Sequence, residues 1–296
     1  MIAMTMLSYL LLSGITTGAL YALVALGLVV VNKATGVINF AQGELFMVAG
    51  FIAWSIHVQF GLDFALALAG AVLVGFVLGC AIDRIAFRPL LRADVVAIVL
   101  ATVGISFMLK GIGRIIWGGK GDYLSFPPIT STDPIMLGDI VLVPQQIAVL
   151  AGAIAIMVAF GAFFRFTRIG KMMQATADNA KAATLVGIRI ERIYTLAFGT
   201  GAAVAAAAAV LAAPLTLLYP DMGFSFFIKG FAAAVVGGLT SLPGAVVGGL
   251  AIGIVEALAG GYIHSSMMEV SAFIAIMLVL LIRPTGLLSF HKVRRV

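Results

Sequence analysis

The sequence predicts an all-α fold, a polytopic transmembrane bundle of about eight to ten membrane segments with re-entrant or broken helices among them. Composition is the first reason, because hydrophobic residues make up 62% of the chain, charged residues only 10%, and the mean hydropathy is +1.19. These values lie far outside the range of globular domains. The second reason is that apolar stretches of membrane-spanning length recur from end to end. We therefore expect residues 1–296 to form a single transmembrane domain.

The candidate spans are predominantly apolar and are bounded by polar residues, glycine or proline. In chain order they are 7–31, 41–60, 64–82, 95–117, 143–164, 193–218, 226–240, 243–260 and 267–282. The first has no basic residue before it and exceeds the length of a signal-peptide core, so we interpret it as a retained span. The single cysteine, Cys80, lies in an apolar run and excludes an internal disulfide.

The basic residues predict the orientation of the chain. Of the 18 Lys and Arg residues, three lie in 84–92, six in 165–192 and four from Arg283 onward. The positive-inside rule places these three segments in the cytoplasm. The connection 118–142, with three aspartates and a Pro-Pro pair, is expected on the outer face.

Aromatic and basic residues flank that outer connection. Trp117 and Tyr123 are placed as interfacial anchors. Lys110 and Arg114, one helical turn apart, are expected to extend their charged ends to the same interface.

The sequence is compatible with either full crossings or re-entrant hairpins in two segments. The chain is inside before residue 193 and inside again at Arg283, so 226–260 contributes an even number of crossings, either two full spans or a re-entrant hairpin. The helix break between them is predicted at Gly237, Gly238, Pro243 and Gly244. Segment 41–60 has the same ambiguity. If it crosses, the N-terminus is outside, and if it re-enters, the N-terminus is inside.

Glycine is abundant, with 34 residues in 296, and several glycines form pairs with small-xxx-small spacing. These pairs are Gly14/Gly18, Gly75/Gly79, Gly244/Gly248 and Gly249/Gly253. Such spacing allows helix backbones to approach closely in a bilayer. The alternative for the glycines near residue 240 is a broken helix of the kind that transporters place near the membrane midplane.

Polar residues interrupt the apolar sequence between the first two spans. Asn39, Gln42 and Glu44 follow a glycine that permits irregular backbone. Because such backbone at membrane depth must be buried in protein or line a wet cavity, these residues are candidates for a substrate pathway. The alternative is that Glu44 is a first-turn acid favoured by the helix dipole. Glu256 is the other acid in an apolar run, either paired or near the outer interface.

The basic segment 165–192 is predicted to be a cytoplasmic coupling loop for another protein. It contains the run Lys181-Ala182-Ala183 followed by Gly187. Asp178 is expected to cap a short helix there, and Gly187 to end it in the left-handed conformation. Met172, Thr176, Ala180, Ala183 and Gly187 recur at helical spacing and would form one flat face of mostly small residues. The alternative is a loop that only joins two spans.

Enzyme and metal motifs are not found in the sequence. The three histidines have no ligand spacing, no serine lies in a nucleophile-elbow pattern, and the pattern GxxxxGK[ST] is missing. We therefore expect a chain without enzymatic activity, metal or cofactor. If ATP drives it, other subunits bind the ATP.

Four runs resemble one family throughout the chain, namely Gly36–Glu44, Ala175–Ile188, Phe227–Leu239 and Arg283–Leu288. They are similar to the branched-chain amino acid ABC transporter permeases, and more closely to the shorter of the two paired permeases. The resemblance extends to a docking motif of the form Glu-Ala-Ala-x-x-x-Gly. Here Lys181 stands where that motif has glutamate.

The resemblance implies a multi-pass permease in a bacterial inner membrane that imports branched-chain or related hydrophobic amino acids. It implies a second permease subunit, two ATP-binding subunits and an extracytoplasmic binding protein as partners, within membrane lipid and without nucleic acid. Urea or short amides are alternative substrates. An ion-coupled secondary transporter is a further alternative, although Glu44 and Glu256 are few acids for an ion path, and a channel or structural membrane protein would need no docking helix.

Overall fold

The computed structural model describes residues 2–91, 93–120, 123–138 and 140–288. Arg92, Asp122, Asp139 and the basic residues after position 288 therefore lie outside the described residues. The α-helices in chain order are α1 (Ile2–Thr35), α2 (Gln42–Trp54), α3 (Phe64–Ile82), α4 (Val95–Trp117), α5 (Pro144–Phe166), α6 (Arg168–Asp178), α7 (Ala180–Leu185), α8 (Ile190–Ala212), α9 (Met222–Gly237), α10 (Leu242–Tyr262) and α11 (Met267–Ile282). Six of them, α1, α3, α4, α5, α8 and α10, are long and apolar enough to cross a membrane.

A small hairpin is the one departure from helix among the described elements. Strands β1 (Ile135–Leu137) and β2 (Ile140–Leu142) pair antiparallel in the outer connection, with Met136 opposite Val141. Leu124 pairs with Leu218, so this connection is tied to the chain that follows α8.

Helix α1 is the centre of the bundle, and residues 18–31 are almost completely buried. It runs antiparallel to α10 through glycines. A Cβ on Gly18 would lie 2.9 Å from the carbonyl oxygen of Gly249, and Gly14 similarly faces Gly253. Close backbone contact replaces the hydrophobic effect as the source of helix association in lipid. The packing prediction for these glycines is confirmed.

Helices α3 and α8 form a second close antiparallel pair. Gly75 and Gly79 of α3 lie against Ala202, Ala206 and Phe198 of α8. The alanine-rich second half of α8 is buried, so small side chains on both helices hold them together.

The chain reverses between α9 and α10, where the sequence predicts a helix break. Gly238 has φ +107°, which favours glycine. The hydroxyl of Ser241 accepts a bond from the amide of Gly244 at 3.0 Å, and a proline lies in the first turn of α10. After α11, the amide of Leu287 donates to the carbonyl of Val236 at 2.8 Å. This turn therefore lies at the Arg283 end of the bundle.

The first turns of α1 lie at the opposite end. Leu10 packs against Gly261 near the end of α10. From Thr35 the chain turns back, and α2 with a following π-helical turn (Ser55–Gln59) leads to the outer connection, where Trp54 donates to the carbonyl of Ser125 at 3.0 Å. This path is that of a crossing segment rather than of a hairpin.

Candidate functional site

The three predicted pathway residues come together where α2 begins. The Gln42 Nε2 donates to the carbonyl oxygen of Gly201 at 2.8 Å, and the Asn39 Oδ1 accepts from the amide of Ala41 at 3.1 Å. Gly201 is in the middle of α8, so α2 starts about half-way along that helix. The backbones of Gly43 and Gly223 touch there, which places the start of α9 beside the start of α2.

This junction is closed in the structure. Asn39, Gln42 and Glu44 are 1%, 0% and 2% exposed. Glu44 is the third residue of α2, the position of a first-turn acid. Gln42 and Asn39 use their polar atoms to fix the irregular turn before α2. A role of the three residues in a substrate pathway stays a prediction.

The coupling loop consists of two helices instead of one. The chain is extended at Asn179 (φ −159°, ψ 99°), and the side chain of Asn179 accepts from the amide of Ala182 at 3.0 Å. The prediction that Asp178 caps the helix was wrong, since Asp178 is the last residue of α6. Because of this break, the predicted residues fall on two helices, although Met172 of α6 still lines one hollow with Val186 and Gly187. Gly187 has φ +88°, the left-handed conformation of a helix-ending glycine.

The direction of the α7 side chains also differs from the predicted flat face. Ala183 is only 3% exposed and faces the protein, whereas Leu185 and Val186 are 90% and 77% exposed. Lys181 and Ala182 are exposed as well. The C-terminal end of α7 therefore offers an apolar surface, formed by Leu185 and Val186.

A polar cluster ties this loop to the end of α3. The hydroxyl of Thr195, in the second turn of α8, donates to the buried carboxylate of Asp83 at 2.6 Å. Arg88 donates to the Thr195 hydroxyl at 2.8 Å and lies 3.9 Å from the Glu191 carboxylate. A shallow cavity of about 620 Å³ beside it has a basic rim formed by Arg88, Arg189 and Arg192.

Three residues in the second half of α4 make contacts that the sequence did not predict. Lys110 and Arg114 form ion pairs with Asp221 at 3.1 and 2.8 Å, so they fix the start of α9. Trp117 is 8% exposed, stacks on Phe51 and donates to the Ser55 hydroxyl. It is a core residue and not an interfacial anchor, whereas Tyr123 is 62% exposed.

Sequence reasoning missed the partner of Glu256. The Nζ of Lys229 on α9 lies 2.5 Å from the Glu256 Oε1 on α10, and the side chains are 13% and 5% exposed respectively. The Nζ is also 5.5 Å from the centre of the Tyr21 ring on α1. The sequence signal was a lysine inside an apolar run, since intramembrane charges are expected to pair.

Membrane-crossing helices, a closed polar junction at their centre and a separate basic loop define a multi-pass integral membrane protein of the transport permease class. Residues 10–282 match the family described as the branched-chain amino acid transport system permease component. The chain belongs to this family, whose members are transport subunits of ABC systems and act with partner components.

Relatives in three organisms support the assignment over nearly the full length. The chain is 33% identical to the high-affinity branched-chain amino acid transport system permease protein LivH of Escherichia coli, covering 96% of each chain. It is 33% identical to the corresponding protein BraD of Pseudomonas aeruginosa, covering 97% of each. It is 27% identical to the probable LivH of Methanocaldococcus jannaschii, covering 93% of this chain and 91% of that one.

A solved structure has a similar fold. PsaBC from Streptococcus pneumoniae, in complex with Fab, matches with a TM-score of 0.53 at 14% identity, covering 92% of this chain and 91% of that chain. At this identity the likeness concerns the fold alone.

Proposed function

We propose that this chain is the permease subunit of a binding-protein-dependent ABC importer that moves branched-chain or related hydrophobic amino acids into the cytoplasm. Its full-length similarity to branched-chain amino acid permeases supports the substrate class. ATP is bound and hydrolysed by two separate subunits, and this chain contributes no enzymatic activity or cofactor. A second permease completes the path, and an extracytoplasmic binding protein delivers the substrate.

The observation that carries this proposal is the exposed apolar end of α7. Leu185 and Val186 are 90% and 77% exposed on a loop that carries six Lys and Arg residues. Exposed apolar residues rimmed by charge are typical of a surface that another protein covers. Arg88, Arg189 and Arg192 border the same surface, so the partner is expected to place acidic residues around an apolar cleft.

The polar cluster of Asp83, Arg88, Glu191 and Thr195 connects this docking surface to the membrane helices α3 and α8. Asp83 belongs to the helical segment that continues α3, and Thr195 to α8. Since α8 also holds the start of α2 through Gly201, movement of the loop reaches the central junction through a single rigid helix. A conformational change of an ATPase bound to the coupling loop can therefore move the start of α2 and open the closed central junction.

Leucine uptake by the assembled complex tests the proposal. Cells that express the chain with its second permease, ATPase and binding-protein partners should accumulate radiolabelled leucine, and excess isoleucine or valine should compete. Excess urea or acetamide should not compete. Competition by urea with none by valine would overturn the substrate class, and uptake that persists with inactive ATPase subunits would identify an ion-coupled transporter instead.

A further inference from the structure

We propose that the corner between α5 and α6 binds the head group of an anionic phospholipid on the cytoplasmic side of the membrane. The phosphate of the lipid would lie against the basic side chains of Arg165, Arg168 and Lys171. The upper parts of its acyl chains would lie beside Phe166. The inference goes beyond amino-acid import, since it does not depend on which substrate the permease carries.

The corner lies at the level of the membrane surface. α5 is long and apolar enough to cross the bilayer and ends at Phe166, and α6 begins two residues later. α6 then stays close to the last turn of α5, because a Cβ on Gly170 would lie 2.5 Å from the carbonyl oxygen of Phe163. One turn further on, the Gln174 Nε2 donates to the carbonyl of Phe164 at 3.0 Å. α6 therefore runs across the end of the bundle instead of away from the membrane.

The start of α6 lies at the rim of the bundle, whereas its last turns lie beneath the centre. Met173 and Ala177 line a small hollow together with Val30 and Ala34 of the central helix α1. Only 22% of the spanning stretch of α5 is buried within the chain, so much of the surface of this helix faces outward. The corner is therefore at the edge of the bundle, within reach of lipid.

The basic side chains at this corner have no acidic partner among the described residues. Arg165, Arg168 and Lys171 are exposed and form no ion pair there, whereas Lys110, for example, is paired with Asp221. Arg168 and Lys171 also belong to the first four residues of α6, where the helix dipole disfavours cations and no acid compensates them. A bound anion would offset both the mutual repulsion of these charges and the unfavourable dipole.

An exposed aromatic ring favours a lipid over a soluble anion as the ligand. Phe166 is 74% exposed, and the guanidinium carbon of Arg165 lies 5.5 Å from the centre of its ring. Aromatic rings at the end of a span, beside basic side chains that reach the head groups, are typical of the membrane interface. Basic clusters immediately cytoplasmic of a span attract anionic lipids. A soluble phosphate would use the charges of the corner but not its apolar ring.

Quenching by spin-labelled lipids tests the site directly. In a Cys80→Ser background, a bimane fluorophore is attached to Ile169→Cys, at an exposed position in the corner, and the permease is placed in bilayers of phosphatidylcholine and phosphatidylglycerol. A nitroxide near the top of an acyl chain is carried by one lipid or by the other, at the same mole fraction and the same overall composition. Nitroxide on phosphatidylglycerol should quench at least about threefold more strongly, because the basic cluster enriches that lipid. The same label on Ile263→Cys, 73% exposed at the other end of the bundle, should be quenched equally by both lipids.

Two triple variants separate this site from the general positive charge of the cytoplasmic side. The first neutralises the corner and consists of Arg165→Gln, Arg168→Gln and Lys171→Gln. The second removes the same charge at and after α7 and consists of Lys181→Gln, Arg189→Gln and Arg192→Gln. The first should abolish the lipid preference at Ile169→Cys and the second should retain it. Equal quenching by the two lipids without these changes, a preference that survives the first variant, or a loss in both variants would overturn the inference. If the first variant does not insert, the comparison of Ile169→Cys with Ile263→Cys decides alone.

Two additions distinguish a lipid from other occupants of the corner. Inorganic phosphate should leave the preference for phosphatidylglycerol as it is in sodium chloride of the same ionic strength. Assembly with the ATPase subunits should also leave this preference unchanged, because the apolar surface at Leu185 and Val186 is a separate part of the loop. A loss caused by phosphate would assign the corner to a soluble anion, and a loss caused by the ATPase would assign it to a protein contact. Either loss would contradict a lipid site.

Discussion

At the scale of single residues, the carboxylate of Glu44 in the central junction has two candidate roles, one in the substrate pathway and one at the start of α2. It is 2% exposed and lies in the first turn of α2. A first-turn acid contributes only about 0.3–1 kcal/mol through the helix dipole. If Glu44 serves the pathway, its effect on transport must be larger than this contribution to stability.

We therefore predict that Glu44→Gln lowers the rate of leucine uptake at least about tenfold, equivalent to 1.4 kcal/mol of transition-state free energy, with little change in apparent Tm. Uptake by the assembled complex and thermal unfolding in detergent are the two measurements. Glu269→Gln is the matched control, because Glu269 is an exposed first-turn acid of α11. Near-normal uptake by Glu44→Gln would reassign Glu44 to a structural role at the helix start.

At the scale of elements, α7 is a short helix with one side toward the protein and an apolar end toward a partner. We predict that Leu185→Asp abolishes copurification of the ATPase subunits and ATP-dependent uptake, because a charge replaces the apolar contact. The amount of inserted permease should be unchanged. The control is Ile135→Asp, the same kind of change at a 53% exposed site in the outer hairpin.

The direction of Ala183 gives the complementary test of α7. Because Ala183 is buried within the chain, Ala183→Leu should overpack its site and lower the apparent Tm of the isolated permease. Leu185→Asp should leave that Tm unchanged. Equal effects of the two variants on the isolated permease would contradict an α7 that turns Ala183 inward and Leu185 outward.

Close helix contact through glycine gives another prediction at this scale. Gly18→Ala would place a Cβ 2.9 Å from the backbone of α10, whereas a Cβ on Gly104 meets nothing within 4 Å. The first change should destabilise by about 1–3 kcal/mol through overpacking, and the second should stabilise by up to about 1 kcal/mol through helix propensity. Apparent Tm values in one detergent should therefore shift in opposite directions. A lower Tm for Gly104→Ala would indicate that α4 packs on something outside this chain.

Much of this element structure is predictable from the sequence, since membrane spans need long apolar runs and the α9–α10 turn needs glycine and proline. The cap prediction was wrong because it required a choice between two chemically similar neighbouring residues. Asp178 and Asn179 are both good caps, and only the backbone decides that Asn179 is used. The Lys229–Glu256 pair joins residues 27 positions apart, so it requires the hairpin geometry to be known.

At the scale of the whole molecule, the path of α2 determines on which side the chain begins. α2 leads to the outer connection through the Trp54–Ser125 bond, and Leu10 lies near the end of α10. Counting α2 as a crossing places residue 6 and residue 181 on opposite sides of the membrane. If α2 returned to the side from which it came, the two residues would share a side.

Single cysteines in a Cys80→Ser background distinguish these topologies. Met6 is 40% exposed and Lys181 is exposed, so thiols at both positions are accessible to a reagent on the correct side. In intact cells an impermeant maleimide should label Met6→Cys and not Lys181→Cys, and permeabilisation should allow both to react. Ser265→Cys, in the exposed connection between α10 and α11, is the positive control for the outer face. Labelling of Ser265→Cys without Met6→Cys in intact cells would show that α2 does not cross, because the crossings between residues 181 and 265 are unaffected by α2.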